Sequence, residues 1–368
     1  MAEELAPRER VRLALSHQPT DRVPITFVCA ELEPPARADL AKYLGVSVGE
    51  GVDRYLEQYV DLVTVGPNAL GSDSFYRGPK LDSLALAYED IWGVRWERAS
   101  EALPVDIRHF PLADANAPSD LDSHRWPDAD WWDYSRLSEE ITRVTERREY
   151  ALIMTSGNLF ERTCWMRGFE RALFDMMDNS ELFHAIMERV TDFYVEQAKR
   201  TLAAAAGRID LAFTADDIAG QEGLLLSIAM WEKHIKPYHR RLNDVLHSLG
   251  VTVVYHSDGN VMSAVPGLLD QGVDVLQALQ FSARGMDPVA LKQAYGERLC
   301  FEGGISVQTT LPFGTAAEVR REVEERIAVL GRGGGYLLSP SHTIMPGTPP
   351  ENVVAMLETA ASTPVPPA

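Results

Sequence analysis

Residues 253–260 read VVYHSDGN: β-branched and aromatic side chains run into His256 and Asp258, and Gly259 follows. Such a run is the composition of a buried strand. Residues i and i+2 of a strand point to the same side, so the imidazole of His256 and the carboxylate of Asp258 can converge on one point. The glycine marks the turn out of the strand, and the stretch NVMSAVPGLLDQG that follows has the pattern of a short helix. One strand with a polar end, followed by one helix, is a βα step.

The same step repeats on both sides. Upstream lie ALIMTSGN (151–158) and DLAFTADD (210–217), each followed by amphipathic segments. One of these is SIAMWEKHIKPYHRRLNDVLHSLG, read as a single helix ending at Gly250. Downstream come VDVLQALQ (273–280), LCFEGGI (299–305) and GYLLSPSH (335–342). DRVPITFV (21–28) and VDLVTVG (60–66) read as two further strands, which brings the tally to eight. The expected fold is therefore an α/β (β/α)8 TIM barrel, a single domain over residues 1–368. A doubly wound sheet is the rival, but no GxGxxG turn follows a strand, and GRGGGY (331–336) precedes one. Residues 67–150, rich in Pro, Asp and Trp, read as a long insertion after the second strand, packed on the barrel, with ALAYEDIWGVRWER as a hairpin.

Composition narrows the partners. The 54 acidic against 35 basic residues leave a formal charge of −19, which repels nucleic-acid phosphates, and no run of apolar residues is long enough to span a bilayer. The N-terminus lacks a secretory h-region, so a cytoplasmic location is expected. Cys29, Cys164 and Cys300 are too scattered for a disulfide framework or a CxxC knuckle and read as small, reduced, buried side chains.

In barrels of this kind the C-terminal strand ends build the active site. Those ends carry Asn68, Ser156, Asn158, Asp216, Asp217, His256, Asp258, Gln280, Glu302 and His342. Asp217, Asn158 and Asn260 are equally the residue types that cap helices. His256, Asp258 and His342 form the expected metal set: two imidazoles and a carboxylate, with coordination positions left open, suit zinc or another divalent transition metal. Glu302 and Asp216 are the expected acid or base residues, and Ser156, Asn158 and Gln280 the substrate-positioning ones. His234, His239 and His247 read as packing or surface residues of one helix.

Three stretches together, YHSDGN (255–260), FEGGISVQTTLPFGT (301–315) and LLSPSHTIMPGTPPENV (337–353), resemble the uroporphyrinogen decarboxylase superfamily, especially its corrinoid-dependent methyltransferase and uncharacterised branches. In those methyltransferases the first stretch reads His-x-Cys-Gly-Asn, and a later Cys completes a zinc site. The resemblance places the family's first ligand on His256, its Cys on Asp258 and its later Cys on His342. It thus implies a metal-dependent methyltransferase that moves a methyl group between a small-molecule substrate and a corrinoid. No Asp-x-His-x-x-Gly corrinoid motif is present, so the corrinoid would be carried by a partner protein. The alternative is decarboxylation of a porphyrinogen. The decarboxylases of the superfamily clamp substrate carboxylates with an RQAGR loop and engage the pyrroles with a Phe-Ser-Asp motif. Here the corresponding region is FVCAELEPPARADL (27–40), with Glu31 and Glu33 where cations belong, and Asp73 lies outside the family's context. Only Arg162, Arg167 and Arg284 stand in loops from which they could anchor an acid.

Overall fold

The structure is a computed structural model that describes residues 4–67, 74–81, 83–84, 86–98 and 106–367. Asn68 and Asp73 lie outside the described residues. Seven parallel strands form one curled sheet in chain order: β1 Leu62–Thr64, β2 Ala151–Asn158, β3 Leu211–Ala215, β4 Thr252–His256, β5 Val275–Ala278, β6 Cys300–Ile305 and β7 Tyr336–Pro340. The fold is α/β and TIM-barrel-like.

The strand expected at 21–28 is reduced to isolated bridges. Ile25 bridges Val60, just before β1, and also Leu338 of β7, so it joins the two edges of the sheet. Two features explain why it stays short. Pro24 has no N–H to give, and the Ile25 amide is taken by the Asp61 carboxylate at 2.9 Å instead of by a ladder carbonyl. Asp61 is fully buried and also pairs with Arg10 at 2.6 Å and Arg22 at 2.7 Å.

Inside the barrel, Leu62, Ile153, Leu211, Val254, Val275, Cys300 and Leu337 pack as one apolar layer with Val11 of the N-terminal helix Pro7–Leu15. That helix covers the N-terminal end of the barrel. Two residues further along β4, β5 and β6 on the same face stand His256, Gln277 and Glu302, which occupy adjacent register positions across the three strands. The apolar interior thus gives way to a polar layer beneath the C-terminal mouth.

The helix expected through residues 227–250 is broken in two, Ile228–His234 and Lys236–Ser248, with Pro237 in the first turn of the second. Within the 67–150 segment the expected hairpin forms between Ala87–Glu89 and Arg95–Glu97, in a four-stranded antiparallel sheet. Trp92 at its turn packs edge-on to Phe193 and tilted on Tyr194 of helix Ser180–Ala205. Asp90 accepts from the amides of Trp92 and Val94, from Trp96 Nε1 and from Arg162, at 2.9–3.1 Å.

Candidate functional site

The mouth encloses a cavity of about 350 Å³ walled by Cys29, Asn158, Glu161, Phe213, Asp217 and His256, with Trp165, Tyr194 and His342 among its other lining residues. A larger cleft of about 570 Å³ between Phe281, Phe313 and Arg326 contains no cluster of metal-capable side chains among the described residues. The chemistry is therefore concentrated in the smaller, more apolar cavity.

His256 is its fixed point. The ring is only 5% exposed, and its Nδ1 pairs with Oε1 of Gln277. The Gln277 amide is oriented in turn because its Nε2 donates to the carbonyl of Val28 at 3.0 Å. With Oε1 acting as acceptor, the imidazole proton sits on Nδ1, and the Nε2 lone pair is free to face the cavity. The nearest acidic oxygens to Nε2 belong to Asp217 at 3.7 Å and Asp258 at 4.0 Å, both beyond hydrogen-bond distance.

His342 enters from the loop after β7, with Nε2 4.0 Å from Asp258 Oδ2 and its ring 5.9 Å from that of His256. Pairing of this loop with the one after the first bridge, Leu32 to Ile344, draws the Cys29 segment alongside it. Two groups of donor atoms result, each lying within 4.8 Å of one another: Cys29, His256 and His342, and Asp217, His256 and Asp258. The three metal-set residues read from the sequence are divided between these groups: His256 belongs to both, His342 to the first and Asp258 to the second. Cys29, expected to be an inert buried side chain, faces them.

The loop after β4 explains the glycine of the opening stretch. Gly259 has φ +82°, and a Cβ there would come within 2.5 Å of the Gly220 carbonyl oxygen. Its amide donates to Gln280 Oε1 at 2.8 Å, and the Asp258 amide donates to Asp217 at 2.8 Å. Gln280, expected to position substrate, braces this loop. The inward-facing glutamine is Gln277. The alternation of VDVLQALQ contains it, two residues beyond Val275, whereas Gln280 is merely the last polar residue of the run.

Asp216 is likewise placed away from the cavity. It is fully buried, and its carboxylate accepts from the amides of Phe160 and Glu161, both at 2.8 Å, and pairs with His239 Nε2. Those amides open helix Leu159–Arg167, so Asp216 satisfies a helix N-terminus from another strand. His239, read as a packing or surface residue of its helix, is its buried partner. Ser156 and Asn158 do line the cavity, Ser156 Oγ being buried without a hydrogen-bond partner. Between them Gly157 (φ +84°) forms a bulge against the Tyr194 ring, where a Cβ would meet Cγ at 2.9 Å.

Three carboxyls are held toward their protonated forms, and burial raises Asp258 against the opposing charges of His256 and His342. Burial pushes Glu302 up to about 7 against the opposing hydrogen bond from Thr26 Oγ1, and Glu302 Oε2 has no partner. Glu161, in the cavity wall, is pushed up to about 8 by burial and then by the charges of Asp216 and Asp217. Burial followed by the charges of Asp258 and Asp217 pushes the Cys29 thiol up to about 12. Glu161 is invisible at the level of strand ends because it lies inside a helix, three residues past one.

A parallel, TIM-barrel-like sheet with ionisable groups gathered at its C-terminal mouth defines an α/β enzyme scaffold. The chain belongs to the uroporphyrinogen decarboxylase (URO-D) family, whose model matches residues 113–363. Uroporphyrinogen decarboxylase from Thermus thermophilus is 29% identical over 52% of each chain, so the alignment spans about half of that relative. The enzyme of the same name from Alkalilimnicola ehrlichii is 24% identical over 95% of this chain and 92% of its own. Among solved structures, a methyltransferase from Methanosarcina mazei shares the fold with a TM-score of 0.70 and 17% identity, over 97% of this chain and 99% of that one. Among the described residues no helix is long and apolar enough to cross a membrane.

Proposed function

We propose that this chain is a metal-dependent methyltransferase acting in the cytoplasm, moving a methyl group between a small molecule and a corrinoid carried by a partner protein. The observation that carries the reading is the free Nε2 of His256 in the cavity wall, with His342 in the same wall and the carboxyl oxygens of Asp258 4.0 Å from each imidazole. Imidazole and carboxylate donors, with the outer nitrogen of His256 tied to an amide oxygen, fit a zinc-class divalent ion. His256, Asp258 and His342 would hold it. Bound there, such an ion supplies Lewis acidity to the heteroatom that carries or accepts the methyl group.

The rest of the work falls to protein groups. Trp165, Tyr194 and Phe213 give the cavity apolar walls that exclude water, and Ser156 Oγ and Asn158 offer polar contacts to orient a small substrate. Methyl transfer asks the heteroatom to leave with an electron pair or to attack with one, so a proton must be moved at that atom. Glu161 lines the cavity and keeps its proton at neutral pH, which makes it a better donor than the sequestered Asp216. Glu302, beneath the mouth and pushed up to about 7, exchanges a second proton near neutral pH.

A second reading, decarboxylation of a porphyrinogen, draws on the names of the sequence relatives. The guanidinium groups weigh against it. Arg162 is the cavity's arginine and is paired with Asp90 at 2.9 Å, Arg167 is buried on Asp175 at 2.6 Å, and exposed Arg284 is held by Glu222 at 3.0 Å. Among the described residues the wall carries no lysine and no second arginine; its acids are Glu161, which keeps its proton, and Asp217. Such a cavity offers a polycarboxylate no unpaired guanidinium or ammonium group among these residues to anchor it. The discriminating experiment is turnover of uroporphyrinogen set beside methyl transfer to a cobalamin acceptor with the metal-loaded protein: the methyltransferase reading expects the second and excludes the first.

A further inference from the structure

We propose that Cys29 is a thiolate ligand of the ion held at the mouth, an inference that rests on the metal-dependent reading above. Three independent features of the chain lead there. First, Cys29 Sγ and the ring nitrogens of His256 and His342 lie within 4.8 Å of one another, and all three residues line the cavity. Ligand atoms around a tetrahedral ion stand closer still, so modest side-chain rotation completes the approach.

Second, Cys29 sits at φ +53°, a left-handed backbone that a side chain larger than glycine adopts at a cost. The turn that imposes it, closed by the Ala30 amide on the Phe27 carbonyl at 3.2 Å, carries the Cys29 segment across the barrel mouth. Strain of this kind persists where the surrounding structure over-determines it.

Third, one side chain positions both donors. Gln277 accepts from His256 Nδ1 and donates to the carbonyl of Val28, the residue immediately before Cys29. The amide that selects the His256 tautomer therefore also anchors the cysteine's backbone. His256 Nε2 faces this point with no hydrogen-bond partner among the described residues, in a side chain more than nine-tenths buried.

The chemistry is balanced simply. On loading, the Cys29 S–H bond breaks as the sulfur–metal bond forms, and the proton passes to solvent. Cys29 with His256 and His342 makes a three-ligand set softer than carboxylates alone, which selects zinc over magnesium or calcium and leaves the fourth position to Asp258 in the resting site and to the substrate heteroatom in its place.

The probes are Zn²⁺ and Co²⁺ on the full chain. Loaded with Co²⁺, the wild-type protein is expected to show a thiolate-to-cobalt charge-transfer band in the near ultraviolet. Cys29→Ser should lose that band, keep the wild-type circular dichroism and melting profile, and bind Zn²⁺ more than about 100-fold more weakly in chelator competition, exceeding a change one shell further out. Cys164→Ser should leave band and affinity intact. If Co²⁺ binds with a spectrum free of charge transfer and Cys29→Ser binds Zn²⁺ as tightly as wild type, the Cys29 inference falls while the metal-dependent reading stands. If neither ion binds the wild-type chain, both fall.

Discussion

The imidazole of His256 and the side-chain amide of Gln277 form a buried pair in which Gln277 accepts through Oε1, and its other end is tethered to the Val28 carbonyl. This pair decides which nitrogen of His256 faces the cavity. Replacing Gln277 by Leu removes the acceptor and lets the ring change tautomer and tilt. Zn²⁺ affinity should fall by about 10- to 100-fold, with the fold retained. Gln277→Glu, which keeps an acceptor, should fall less. Equal affinities for wild type and Gln277→Leu in a chelator titration would remove the pair from the account.

Glu302 makes stability depend on pH in a definite direction. Its folded-state pKa of about 7 lies above the ordinary carboxyl value, so between the two the folded chain binds more protons than the unfolded chain. Stability is therefore lost as pH rises through this window and stays lower above it. Glu302→Gln, permanently neutral, should be flatter over the same range and gain relative to wild type at pH 8, by up to a few kcal/mol. Urea unfolding at pH 5 and pH 8 measures this, and parallel curves for the two proteins would contradict it.

The hairpin of the 67–150 segment should depend on Asp90. This carboxylate is 1% exposed and gathers two amides, an indole and Arg162. Arg162→Met leaves it buried without its cation and should cost about 3–5 kcal/mol. If the segment is packed on the barrel as one domain with it, limited proteolysis of wild type releases no independently folded piece of 67–150. A stable released fragment would separate the two.

Much of this arrangement is legible in the sequence, for identifiable reasons. The bodies of strands β2 to β7 are largely buried, so their apolar runs and polar ends stand out, and the places of His256, Asp258 and His342 at or just past strand ends can be read from them. What escapes depends on contacts between distant segments. The first strand is cut short by Pro24 and by the carboxylate of Asp61. Asp216 has the composition of an acid catalyst, but the helix whose amides it caps begins at Leu159. Cys29 looks like any small core residue until the Leu32 to Ile344 bridge sets it beside His342. Gln277 differs from Gln280 only in strand parity, and the true end of β5 decides that.

Gly259→Ala should be among the more damaging small substitutions at the site. The added Cβ meets the Gly220 carbonyl oxygen at 2.5 Å in a left-handed backbone, so the loop carrying Asp258 must shift. A loss of about 1–3 kcal/mol is expected in thermal unfolding, with weakened Zn²⁺ binding. An unchanged melting temperature would show that the loop yields freely.

Metal content tests the central claim most directly. Purified without chelators from zinc-replete medium and assayed by elemental analysis, the wild-type chain should hold a divalent ion in a one-to-one ratio, as a single site requires. His256→Ala and His342→Ala should hold little, with unchanged circular dichroism. A wild-type chain free of metal under these conditions, or a His256→Ala chain with full occupancy, would contradict the account.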